Sequence, residues 1–97
     1  MKFEWDENKA GLNLSKHGVS FDYACYVFAD DNRLEYIQDR DGEERIKVIG
    51  QIEVGVYVVI AVEHNQLNDE DVIRIISARK ATSHERKYYE KNCGRFK

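Results

Sequence analysis

Hydrophobic residues recur along this chain in two different periods, and the change of period divides it into three parts. Phe3-Glu4-Trp5-Asp6 alternates as a short edge strand does. Asp6 then stands where a helix N-cap belongs. It precedes a segment over 9–17 with Ala10, Leu12 and Leu14 apolar and Gly18 at the C-cap. Ser20 is a second N-cap candidate, with Asp22 in the first turn. Phe21, Ala24, Cys25, Val27 and Phe28 follow at helical spacing until Asp30-Asp31-Asn32 ends the stripe. The middle of the chain has a period of two. Residues 34–37 make a short strand, and Asp41-Gly42 is a hairpin turn. Over 45–52, Ile46, Val48 and Ile52 face one way, and Arg45, Lys47 and Gln51 face the other with Ile49 among them. Gly55 marks a turn. Residues 56–62 are apolar on both faces, as a central strand is. A polar loop over 65–71 leads to a β-branched strand over 72–78. Thr82-Ser83-His84-Glu85 is a capping box, and the helix it opens ends at Gly94. The order predicts an α+β domain: two N-terminal helices, a twisted antiparallel β-sheet and a C-terminal helix, with the helices on one face.

Composition narrows the class. Ninety-seven residues suit a single domain over 1–97. With 42% hydrophobic and 34% charged residues and no proline, the chain is neither disordered nor collagen-like. No apolar run approaches the roughly 18–20 residues that span a bilayer, and the charged N-terminus does not suit a signal peptide. A soluble, cytoplasmic protein with no membrane partner is expected. Cys25 and Cys93 lie far apart and outside any metal-ligand spacing, so reduced thiols are expected, with Cys25 in the core. His17, His64 and His84 stand apart, and no metal or cofactor motif is present. The net charge of −3 hides a segregation. Residues 1–73 carry 7 Lys/Arg against 16 Asp/Glu, a net −9, and residues 74–97 carry 8 against 2, a net +6. The basic quarter reads either as a footprint for a polyanion or as cations favoured near a helix C-terminus.

The candidate chemistry is cationic. RNA cleavage without a metal needs a base for the 2′-hydroxyl, cations for the phosphorane and an acid for the 5′-oxygen. Arg45 and Lys47 share a strand face. Arg74, between Ile73 and Ile75, must pair with an acid such as Glu63, snorkel, or face a site. Its parity differs from that of Arg79, so only a bulge or strand-end twist lets both line one pocket. Arg79 and Lys80 leave the strand just before the capped helix. The bland readings stand beside these. Glu85 reads first as a cap, His17 as a cation ending a helix, and His64 as an exposed strand end. Phe3 and Trp5 read as core and sheet-edge residues. Of Tyr88 and Tyr89, one packs on the sheet and the other faces solvent or a partner.

FEWDENKAGLNLSKHGVSFDYACYVF, DGEERIKVIG and VIRIISARKATSHERKYYE resemble, in this order, the BrnT toxin family of type II toxin–antitoxin systems. The specific elements are WDExK with N-x-x-K-H-G over 5–18, G-E-x-R over 42–45, and RIISAR-x-A-x-x-x-ER-x-x-Y over 74–89. The resemblance implies a RelE-like ribonuclease fold and metal-independent RNA cleavage that arrests translation. It also implies neutralisation by a BrnA-like antitoxin whose ribbon-helix-helix part binds DNA. The complex would repress its own operon, touching operator DNA only through the antitoxin, as a toxin–antitoxin heterotetramer. Lys16, His17, Arg45, Arg74, Arg79, Glu85, Arg86 and Tyr89 match the family's recurrent polar positions. Arg45, Arg74 and Arg79 are then expected at the scissile phosphate, and His17 or Glu85 in proton transfer. Lys16, Lys47, Lys80, Arg86 and Tyr89 are expected on the RNA. The alternative is a weak or inactive homologue that binds the antitoxin as a co-repressor.

Overall fold

A computed structural model of the protein describes residues 2–52, 58–66 and 71–92. The turn expected at Gly55, most of the polar loop before Asp71, Cys93 and the helix end expected at Gly94 lie outside them. After strand β1 (Lys2–Glu4), helix α1 (Glu7–His17) starts at Asp6, whose carboxylate accepts the N–H groups of Asn8 and Lys9 at 2.8 and 3.2 Å. It stops at Gly18, whose left-handed φ of 72° lets its N–H reach Leu14 O. Ser20 caps α2 (Phe21–Ala24) by accepting Tyr23 N–H at 3.1 Å. One helix is expected over 21–28, but after α2 the chain tightens into a 3₁₀ turn (Cys25–Ala29). That turn sets Val27 against Gly50, where an added Cβ would stand 2.6 Å from Val27 Cγ2. The hairpin of β2 (Leu34–Arg40) and β3 (Glu43–Ile52) turns on Asp41 and Gly42, both at positive φ as a type I′ turn requires. Then come β4 (Val58–Gln66), β5 (Val72–Lys80) and α3 (Ser83–Asn92).

The strand order is β1-β5-β4-β3-β2. Strands β2 to β5 form the expected antiparallel meander, but β1 joins β5 in parallel, with Glu4 beside Arg74. The sheet is therefore mixed rather than wholly antiparallel. Alternation marks a strand but carries no information on its neighbour, and here the neighbour is 70 residues away.

The helices lie on both faces, which corrects the one-face expectation. Val19, Phe21, Ala24 and Val27 from the N-terminal helical part bury Val48, Val62, Ile75 and Ala78 on one face. On the other, Tyr89 of α3 covers Ile49 and Ala61. The reason is that β3 and β4 are apolar on both sides, so a second surface remains to be covered.

Helix α1 does not dock through its leucines: Leu12 and Leu14 are exposed. It docks through Ala10 and Asn13. The Asn13 amide accepts Ala78 N–H at 3.2 Å and donates to Ala78 O at 2.8 Å and to Val19 O at 3.0 Å. Pairing with β1 ends at Arg74, and this amide serves the β5 peptide group beyond it. His64 is also displaced from expectation. Because β4 runs on to Gln66, His64 is interior, 2% exposed, with its ring edge-on to Phe28 at 5.4 Å. Burial pushes its pKa down. Cys25 is a free, half-buried thiol donating to Phe21 O, and burial with the nearby Asp22 charge pushes it up to about 11.

Candidate functional site

A β-bulge organises the candidate face. Glu63 pairs with Ser77, but His64 pairs with Ile75, so Ile76 is the extra residue. The parity of β5 reverses there. Ile73, Ile75 and Ala78 all point into the main core, and Arg74 and Arg79 share the opposite face. Sharing a face does not bring these two arginines together. Arg74 Nη1 bonds Glu4 Oε2 at 2.6 Å, its register neighbour on β1 rather than Glu63.

Around Arg79 the charges converge. Lys47 lies directly across from Glu63, and Arg79 directly across from Ala61, next along the same strand face. The turn after β5 places the capping box of α3 over these residues. Thr82 Oγ1 accepts Glu85 N–H at 3.1 Å, and Glu85 Oε1 accepts Thr82 N–H at 2.9 Å. The same carboxylate receives Arg79 bidentately, Nη1 to Oε1 at 2.6 Å and Nη2 to Oε2 at 2.9 Å, and pairs with Lys47 Nζ. Burial pushes the Glu85 carboxyl upward. The hydrogen bonds from Arg79, Lys47 and Thr82 and the charge of Lys47 outweigh it and hold the group far below the usual carboxylate range. The bonds to Glu85 in turn raise the Arg79 pKa against the cost of burial. Arg45 Nη1 lies 3.5 Å from Glu63 Oε2, and Arg45 Nε has no acceptor among the described residues.

Gln38, Asp39, Lys47, Glu63 and Arg79 line a cleft of about 370 Å³ on this face. A guanidinium has five N–H donors and an ammonium three. Anchoring on Glu85 and a 3.4 Å contact with Lys80 O use three of Arg79's, and Glu85 uses one of Lys47's. Both cations thus retain donors while their positions are held. Tyr36, in register with Lys47, meets the Tyr88 ring edge-on at 6.2 Å, and Tyr88 is exposed.

The other expected site residues are dispersed. Lys16 and His17 end α1, in the layer across the sheet from α3, and His17 has no hydrogen bond or ion pair among the described residues. Lys80 pairs in register with the core residue Ile60, so it leaves the sheet on the side opposite Arg79 and is exposed. Arg86 is exposed on α3. Tyr89, expected on RNA, is 1% exposed, and its hydroxyl donates to Asp30 Oδ2 at 2.6 Å. Its neighbour Tyr88 is the accessible ring. Sequence reasoning did not reach Gln38, Asp39 or a site role for Glu63. The available signal was a lone carboxylate ending the apolar run of β4, in phase with Ala61.

Among the described residues, no three His, Cys, Asp or Glu side chains gather as metal ligands, and no helix is long and apolar enough to cross a membrane. The family described as "Ribonuclease toxin, BrnT, of type II toxin-antitoxin system" matches residues 5–85. No curated protein matches the chain.

Proposed function

Because the chain belongs to the BrnT family of ribonuclease toxins of type II toxin–antitoxin systems, we propose that it cleaves RNA without a metal ion in the cleft lined by Lys47, Glu63 and Arg79, and so arrests translation. The observation that carries this reading is the pair Lys47 and Arg79, held side by side on Glu85 with donors to spare beside the cleft. Two fixed cations are what a phosphorane needs, because they stabilise its extra negative charge without reorganising as it forms. Glu85 acts here as a positioning residue. Held ionised by four donor contacts, it has no proton to give at neutral pH. Arg45 supports the same face, and exposed Tyr88 offers a ring for a base to stack on. Arg86 is an exposed cation on α3 for a flanking phosphate, Lys16 and Lys80 lie on the other side of the sheet, and Arg74, paired with Glu4, lies apart from the reacting group. Two N-terminal helices, a sheet and a C-terminal helix support the RelE-like reading of 1–97 as one toxin domain.

A type II toxin family implies a protein antitoxin. We assign that role to a BrnA-like protein whose ribbon-helix-helix part dimerises and binds operator DNA, giving a heterotetramer. Light scattering of the copurified pair that returned a one-to-one complex would contradict it.

The experiment is cleavage of RNA by antitoxin-free protein in excess EDTA, with Arg79→Ala in parallel. Wild type is expected to cut, and the variant to lose about 100-fold or more in rate with its circular dichroism unchanged. If wild type cuts only after translating ribosomes are added, the enzyme reading stands and is ribosome-dependent. A folded wild type inert in both settings supports the second reading, an antitoxin-binding co-repressor. The bidentate neutralisation of Arg79 by Glu85 is the observation that favours that alternative.

A further inference from the structure

We propose that Glu63 is the catalytic base of this cleft, the group that takes the proton from the attacking 2′-hydroxyl. The assignment rests on the RNA-cleavage reading of the same site. It follows from where the carboxylates and imidazoles of the molecule lie relative to Lys47 and Arg79.

The 2′-hydroxyl sits on the ribose that bears the scissile 3′-phosphate. Its base must therefore stand beside the cations that hold the phosphate. Glu85 is bonded to both cations and to Thr82 N–H, so its lone pairs are taken. His17 lies in the opposite layer, and His64 is buried under the other sheet face against Phe28. His84 is exposed in the first turn of α3. Asp39 belongs to the exposed outer strand β2, at the cleft rim. Glu63 remains. It lines the cleft, lies across from Lys47 in direct register, and is two residues along the strand from the Ala61–Arg79 pair. Directly opposed residues bring their Cβ atoms to about 5 Å, and diagonal ones to about 7–8 Å. A carboxylate at that separation reaches the ribose of a phosphate held between Lys47 and Arg79. Glu63 also sits at the bulge, a feature that re-aims side chains and recurs beside active sites. Arg45, 3.5 Å away, restrains its orientation. The charged groups around it include Arg45 and Lys47 from β3, Arg79 from β5, Asp39 from β2 and Glu85 from α3.

The step balances as a transesterification. Glu63 takes the 2′-O–H proton, and the 2′-oxygen forms its bond to phosphorus. The P–O5′ bond breaks, and its electron pair leaves with the 5′-oxygen. Solvent water at the open mouth of the cleft protonates that oxygen, and the hydroxide so formed takes the proton back from Glu63. The products are a 2′,3′-cyclic phosphate and a 5′-hydroxyl.

The test compares wild type, Glu63→Gln and Glu63→Asp on a short RNA and on the same RNA with a 5′-thio leaving group, which needs no acid. Glu63→Gln is expected to lose about 100-fold or more in kcat, with RNA affinity kept or tightened. It should also lose the acidic limb of the pH–rate profile, and its defect should persist on the thio substrate. Glu63→Asp keeps the charge beside Arg45 and covers the case of a glutamine variant that does not fold. It is expected to slow about tenfold and to keep the acidic limb. Restoration of Glu63→Gln by the thio leaving group would make Glu63 an acid and overturn the assignment. So would a wild-type rate and profile in either variant. A wild type inert on both RNAs, with and without translating ribosomes, would instead remove the cleavage reading, and the base assignment with it.

Discussion

Val48, Val62 and Ala78 lie side by side on β3, β4 and β5, wholly buried beneath the N-terminal helices. One residue away along the same strands, the opposite face carries Lys47 and Glu63 in one row and Ile49, Ala61 and Arg79 in the next. The first face is apolar across its middle. The second is apolar only under Tyr89 and gives way to charges held at less than a tenth exposure, Lys47, Glu63 and Glu85. Burying a charge costs several kcal/mol unless its partners are well placed. The difference teaches a division of labour. One face supplies the cohesion, which frees the other to hold a charged cluster that does little for stability in itself.

That comparison can be broken in stages. The largest effect is expected from Phe21→Ala on the apolar face, about 3–5 kcal/mol by urea unfolding, with activity per folded molecule unchanged. A loss under about 1 kcal/mol would show that this face is not where cohesion resides. Next comes Glu85→Ala, which removes the carboxylate paired with Lys47 and Arg79 and one half of the α3 capping box, at about 3 kcal/mol. The pH dependence has a definite sign. The folded state holds the Glu85 carboxyl below its ordinary value of 4.5, so the unfolded chain binds that proton more readily. Its contribution is full above that value and fades as pH falls from there toward the lower folded value. Wild type should therefore lose more stability than Glu85→Gln between about pH 5 and pH 3. Parallel losses would show that Glu85 is not held ionised by the fold.

Smaller effects sharpen the picture. Tyr89→Phe keeps the ring over Ile49 and Ala61 but removes the hydroxyl from Asp30, for about 1.5–2 kcal/mol. A loss near zero in thermal unfolding would mean that this bond does not tie α3 to the segment before β2. Thr82→Ala removes only the side-chain half of the capping box, about 1 kcal/mol. Cleavage should change little, because Glu85 keeps Arg79 and Lys47. A large loss of activity with a small loss of stability would make the cap itself part of the catalytic geometry.

Features set by adjacent residues were readable in advance. Asp6, Gly18, Asp41-Gly42 and the Thr82–Glu85 box each act within a few positions of themselves, and each appears where its local chemistry puts it. The shared face of Arg45 and Lys47 followed from strand alternation. What failed were inferences about distant partners. Of the apolar positions of α1, Leu12 and Leu14 stay exposed, and the helix docks through Ala10 and through Asn13 reaching Ala78, 65 residues away. Which of Tyr88 and Tyr89 packs on the sheet was open in the sequence, and Asp30 decided it for Tyr89. Glu63 looked like a salt-bridge partner for Arg74, but β1 placed Glu4 there instead.

The sequence by itself determined the element order, the caps and turns, and the motifs of the BrnT family. These depend on short spacings, over which the covalent chain leaves little freedom. Only the tertiary structure decided that β1 runs parallel to β5, that α3 covers the second face, and that a bulge beside Glu63 reverses the parity of β5. It also decided that Lys47, Glu63, Arg79 and Glu85 meet. Strand register and crossing side are chosen by the burial of whole faces at once, and no local window of residues contains that sum.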